Sequence, residues 1–330
     1  MRRLIPFLIV ALCLAAPAAA APRALTVYTY ASFVGDWGPG QAIATAFETT
    51  CACTVRWIAV EDAGVLLSRL RLEGGATEAD VILGLDTNLM AEAEATGLLA
   101  PHGVTAPLDA LPIPWTSPTF VPFDFGWFAF IYDAERMASP AGSLRDLIEG
   151  TATVVIQDPR TSTPGLGLLL WMRQVFGDEA GAAWVRIAPR IVTVTKGWSE
   201  AYGLFLDGEA DMVLSYTTSP AYHRIAEQTE RYRWAPFAEG HALQVEVAAM
   251  VAATDVPDLA RAFLAFIPTR AFQTTIPTGN WMMPVIDLGT DLPAPFAEAV
   301  PVGPSLWPDP AEVAARRKAL IDDWLDALAR

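Results

Sequence analysis

Cysteine, histidine and positive charge are scarce in this chain of 330 residues, and each shortage closes off a class of function. There are three cysteines and three histidines. His102, His223 and His241 are scattered, without the close spacing of a metal-ligating set, so no metal centre is expected. Lys and Arg number 22 against 37 Asp and Glu. So acidic a chain repels phosphate backbones, which argues against nucleic acid, and it suits a cationic partner. Long apolar runs are missing as well, except at the start. Arg2 and Arg3, the apolar Leu4–Leu14 and the small residues Ala18-Ala-Ala20 read as a cleavable secretory signal over 1–20. That apolar run is shorter than the ~20 residues needed to span a bilayer. Leu12 before Cys13 is too large for the usual lipoprotein site. Removing Arg2 and Arg3 from the 22 leaves 20 basic residues against 37 acidic ones, a net charge near −17. The mature chain is therefore expected to be soluble and periplasmic, in a compartment that permits disulfides. Only Cys51 and Cys53 remain in it. A C-x-C bridge closes a very small, strained ring, so a bridge and two free thiols both stay open.

The rest of the chain alternates strand and helix, with no internal repeat and no low-complexity linker. Strands are expected at Leu25–Tyr30, 54–60 and Asp80–Gly84, with helices over 41–50, 64–73 and 87–96 between and after them. The aromatic run Phe120–Tyr132 breaks this rhythm and reads as a crossover between two lobes. A second series follows: strands 153–157, 191–195 and 211–216, with helices from Pro164, near Ser199 and from Pro220. Residues 244–253 then cross back, and 310–330 form an amphipathic helix with Val313, Leu320, Ile321, Trp324, Leu325 and Leu328 on its apolar side. The pattern is α/β with a mostly parallel sheet in two lobes. The expected organisation is 21–119 for the first part of lobe 1, 120–243 for lobe 2, 244–283 returning to lobe 1, and 284–330 as a helical segment on lobe 2.

What is plentiful is large aromatics on polar turns. Tyr28-Thr-Tyr30 with Asp36-Trp37, Asp158-Pro-Arg-Thr-Ser-Thr-Pro-Gly165, Lys196-Gly-Trp-Ser-Glu-Ala-Tyr202, Tyr216-Thr-Thr-Ser-Pro-Ala-Tyr222 and Ile276-Pro-Thr-Gly-Asn-Trp281 set rings among hydroxyls, glycine and proline. Most of these segments follow expected strands, where parallel sheets open their ligand crevice. Tyr30, Trp37, Asp62, Ser162, Trp198, Tyr216 and Tyr222 are the candidate cleft residues so placed. A ring alone more often packs in a core; several on loops at one crevice point to a flat, partly cationic small molecule. Asp62 suits an amino group or a cationic ring, or else caps the next helix. Thr163 and Pro164 suit a helix start whose free N–H groups, beside Ser162, would take a hydroxyl or an anion, or else a plain cap. Gly165-Leu-Gly167 falls inside that helix and is no dinucleotide fingerprint, so no cofactor is expected.

These segments, together with Leu25-Thr-Val-Tyr-Thr-Tyr30 and Val194-Thr-Lys-Gly-Trp-Ser-Glu-Ala-Tyr-Gly-Leu-Phe-Leu206, resemble the thiamine-binding proteins of bacterial thiamine ABC importers. The likeness covers nearly all of the mature chain and is weakest in 101–118 and 287–308. It implies a class II two-lobed periplasmic binding fold, shared with ferric- and polyamine-binding proteins. It also implies thiamine, its monophosphate and its diphosphate as ligands, and a membrane permease with its ATPase as partner. The ligand contacts it implies are Tyr30, Trp37, Asp62, Ser162, Trp198, Tyr216, Tyr222 and Trp281. At one point the chain departs: Ala63-Gly64 stands where the family can have glycine directly after the acidic residue.

Two rival readings use the same scaffold. A thiaminase-like enzyme would need a cleft cysteine, yet Cys51 and Cys53 fall at the end of a helix and the start of a strand, opposite the crevice. No Ser-His-Asp set is evident, and no catalytic residue is assigned. A receptor for another cationic solute would need clustered tyrosinates for iron, or more loop carboxylates for polyamines.

Overall fold

The computed structural model describes residues 23–329; the expected signal over 1–20 lies outside the described residues. Eight strands form the body of one continuous sheet: β1 (Arg23–Tyr30), β2 (Cys53–Val60), β3 (Val81–Asp86), β4 (Phe120–Asp133), β5 (Val154–Gln157), β6 (Ile191–Thr195), β7 (Met212–Tyr216) and β8 (His241–Val251). Their order is β2-β1-β3-β8-β4-β7-β5-β6. At one end β2, β1 and β3 are parallel, and at the other so are β7, β5 and β6. Helices between these strands cover the sheet and give each lobe its α/β character.

The two long strands join the lobes. Every residue of β4 and of β8 is buried. They pair antiparallel from Leu243 opposite Trp127 to Ala249 opposite Phe120, while β8 also pairs with β3 and β4 with β7. Strands enclosed on both faces are written as apolar runs, which explains Phe120–Tyr132. In the first lobe Leu25, Val27, Phe33, Ile43, Phe47 and Phe263 form one core, with Phe47 edge-on to Phe263 at 5.1 Å.

Several boundaries differ from expectation. The helix expected over 87–96 contracts to Met90–Glu94, because the Asn88 amide reaches back to Asp86 Oδ2 at 3.0 Å and holds Thr87–Leu89 as a turn. Helices at Leu144–Glu149, Ala180–Ile187 and Pro257–Phe266 are additional. Cys51 and Cys53 are joined in a disulfide. The last helix, Pro310–Leu328, buries Val313, Ile321 and Trp324 but leaves Leu325 exposed. Trp324 packs edge-on to Trp184, and Arg317 pairs with Glu92 at 3.3 Å, so this helix touches elements on both sides of the long strands.

Candidate functional site

The carboxyl ends of β1, β2, β5, β6 and β7 converge on a cavity of about 380 Å³. Among its lining residues are Tyr30, Trp37, Asp62, Trp198, Tyr216, Tyr222 and Trp281, seven of the eight candidate residues. The eighth, Ser162, is buried directly behind Asp62, donating its hydroxyl to Asp62 Oδ2 at 2.7 Å. The sequence argument missed Glu61, Glu246, Asn280 and Met282, which also line the cavity.

Local rules place each ring. Tyr30 ends β1, and its ring lies where a Cβ on Gly84 would be; Gly84 has φ +109, so a side chain there would be both strained and obstructive. Trp198 opens the helix Trp198–Leu206, and its indole N–H donates to Ser215 Oγ at 2.7 Å. Tyr202, one turn on, stacks against Trp198 at 5.0 Å and 26°. Behind it, His223 joins Tyr202 Oη at 2.9 Å to Glu227 Oε2 at 2.7 Å. Burial holds the His223 pKa down against Glu227, so the neutral ring donates through Nδ1 and accepts the Tyr202 hydroxyl at Nε2. Trp37, from the other lobe, meets Trp198 edge-on at 6.1 Å and is 48% exposed, at the cavity mouth. Trp281 and Tyr222 meet edge to face at 5.1 Å and 82°. Trp281 follows the turn Ile276–Asn280 at φ 56, a left-handed conformation that a tryptophan rarely adopts and that tends to occur at functional positions.

Asp62 has several tasks at once. It is the N-cap of Ala63–Glu73, accepting from the Ala63 amide at 2.7 Å, and it also accepts from the Thr163 amide at 3.4 Å. The helix Thr163–Phe176 therefore starts one residue earlier than expected, with Ser162 as N-cap. Its tip is not free, because a carboxylate from the other lobe already sits on it. Beside this contact the Gly64 N–H donates to Thr161 O at 3.0 Å, and a Cβ on Gly64 would lie 2.6 Å from Arg160 O. Glycine at this place is thus required by the lobe contact itself. Burial pushes the Asp62 pKa up to about 6, against the pull of Ser162 and the two amides.

Charge in the cavity has one sign. Glu61, Asp62 and Glu246 line it, and among the described residues no Lys, Arg or His does. Tyr30 donates to Glu246 Oε2 at 2.6 Å, and burial holds the Tyr30 and Tyr216 hydroxyls protonated. An acidic cleft walled by rings fits a flat cation.

The bacterial extracellular solute-binding protein family matches residues 39–273. This chain belongs to that family. The thiamine-binding periplasmic protein of Escherichia coli (strain K12) is 53% identical to this solute-binding protein over 332 residues, covering 100% of both chains. That of Brucella abortus is 49% identical over 317 residues, covering 96% of this chain and 95% of its own. A solved periplasmic thiamin binding protein superposes with a TM-score of 0.91 at 53% identity, over 96% of this chain and 100% of that one. A ferric binding protein from Campylobacter jejuni, at 18% identity and a TM-score of 0.76 over 92% of this chain, shares the fold alone.

Proposed function

We propose that this solute-binding protein captures thiamine in the periplasm and delivers it to the membrane permease and ATPase of an ABC importer. One observation carries the reading: a cavity of about 380 Å³ walled by Tyr30, Trp37, Trp198, Tyr202, Tyr216, Tyr222 and Trp281, with three carboxyl groups and no basic side chain among the described residues. Thiamine offers a permanent thiazolium cation, a flat aminopyrimidine and a hydroxyethyl arm. Ring faces over the cation supply roughly 0.5–2 kcal/mol each when desolvated. Asp62 can accept from the amino group. The relatives named above, alike over their whole length, support the same ligand.

The reading extends to the mono- and diphosphate. With Asp62 on the Thr163 tip, the phosphate donors are the backbone N–H groups at the start of Trp198–Leu206, where Gly197 provides no side-chain cap. The role is binding, not catalysis. Both cysteines of the mature chain are spent on one another, at the amino end of β2 and away from the cavity. We place the hinge where 121–130 and 244–249 cross, with 21–119 and 244–283 moving as one lobe and 120–243 as the other. Closure then buries the ligand and creates the surface that the permease reads.

Native mass spectrometry of protein purified from periplasm tests this. A retained mass of thiamine or one of its esters is expected. A retained ligand of another class, or thiamine titrations without heat, would overturn it.

A further inference from the structure

The cavity floor is built differently from its walls. Glu246 rises from the middle of β8, 6% exposed, and accepts the Tyr30 hydroxyl. Asn280 Nδ2 lies 2.6 Å from Asp124 Oδ2 and 3.4 Å from Glu246 Oε2, so one amide nitrogen bridges two carboxyl groups. Asp124 is wholly buried, and its Oδ1 has no partner among the described residues. Neither does Oδ1 of Asp86, nor either amide atom of Gln244, which shares Glu246's face of β8 and is also wholly buried.

The titratable groups facing Glu246 are Asp124 on β4, Tyr30 on β1, Tyr216 on β7, Asp86 at the end of β3, and Asp62 with neighbouring Glu61 after β2. Every one is neutral or negative. Two carboxyl groups joined through one amide, out of water and without a cation beside them, do not both ionise. Burial holds both Glu246 and Asp124 far above the ordinary carboxyl range, and the Asp124 charge adds to this at Glu246.

We infer that Glu246 is the specificity-determining residue that meets the ligand's positive charge, and that ligand arrival expels the proton shared by Glu246 and Asp124. The inference deepens the thiamine reading and rests on it. A thiazolium nitrogen is quaternary: it has no N–H to donate and keeps its charge at every pH, so an ionised carboxylate is its natural counterion. The exchange balances. One carboxyl O–H bond breaks, its electron pair stays on the carboxylate and the proton passes to solvent, one cation in and one proton out. Affinity must then rise with pH, by up to about tenfold per unit for one proton, and flatten once the pair is ionised before binding.

Titration calorimetry of the mature protein with thiamine, at one pH in buffers of different ionisation enthalpy, counts the protons. Release approaching about one per thiamine is expected, falling to near zero in Glu246→Gln with affinity down at least about tenfold. An analogue with a neutral thiophene in place of the thiazolium should bind without release, which decides the matter even if Glu246→Gln does not fold. Binding heat independent of buffer in the wild-type protein would overturn the inference and leave the thiamine reading standing. Absence of any binding heat would remove the thiamine reading, and this inference with it.

Discussion

The aromatic wall and the acidic floor of the same cleft are finished to different degrees. On the second-lobe wall the buried polar handles are linked in series: Trp198 on Ser215, Tyr202 on His223, His223 on Glu227. Beneath the floor residue Glu246, the buried Asp86, Asp124 and Gln244 keep unpaired atoms, and among the described residues no basic side chain lines the cavity. The wall is therefore ordered before the ligand comes, so little side-chain freedom remains to be lost on binding. The floor waits for charge. Shape is built in beforehand, and electrostatic balance arrives with the solute.

The largest effect should come from breaking the wall. Trp198→Ala removes the ring stacked on Tyr202 and met by Trp37, and should weaken thiamine binding by about 2 kcal/mol, roughly 30-fold. Tyr222→Ala, which removes the partner of Trp281, should cost about 1 kcal/mol. Both should melt close to the parent protein. Calorimetric affinities unchanged in the two variants would reject the wall as a binding surface.

The floor should show itself as an inverted pH dependence of stability. Burial raises Asp86 to about 7 and Asp62 to about 6, above ordinary carboxyl values. A carboxyl raised by folding stabilises the fold in its protonated state. That contribution is complete below the unfolded pKa near 4 and fades as pH climbs through about 6 and 7. Without ligand, the melting temperature should be several degrees higher at pH 5 than at pH 8. A curve rising over that interval by more than the buried neutral His223 and His241 contribute would contradict buried carboxyl groups without a basic partner. The smallest effect is expected far from both regions. Replacing Cys51 and Cys53 together by serine should leave affinity unchanged and cost at most about 2 kcal/mol of stability, since the closed ring is so short. Lost affinity in a variant that still folds would mean that the cleft depends on this corner.

Rings on polar turns were legible because their surroundings contradict a core role, and Tyr30, Trp37, Trp198, Tyr216, Tyr222 and Trp281 do line one cavity. The floor was not read. Glu246 and Asp124 sit inside β8 and β4, strands whose apolar runs announce only burial. A signal was present: Gln244 and Glu246 alternate with valines, two polar side chains on one face of a strand enclosed on both. Buried polar alternation of that kind calls for a partner, and a single strand does not reveal which one. Asn280 was hidden in a turn read for its tryptophan. The helix start at Ser162 was displaced for a related reason. Local cap rules favoured Thr163, but Asp62, about one hundred positions earlier in the chain, sets the geometry there.

The sheet order has a consequence for how the molecule is completed outside the cell membrane. β8 lies between β3 and β4, yet it is the last of the eight strands in the chain. A polypeptide threaded through a translocation pore with its amino end leading exposes β1 to β3 long before β8 can join them. The edge of β3 therefore stays unpaired until residue 251 has emerged, and Glu92 lacks Arg317 until the final helix follows. Through that interval the first lobe has an open strand edge, the kind of surface that periplasmic chaperones and proteases engage. Slow transit of the last third of the chain should thus threaten yield more than any defect in the finished cleft.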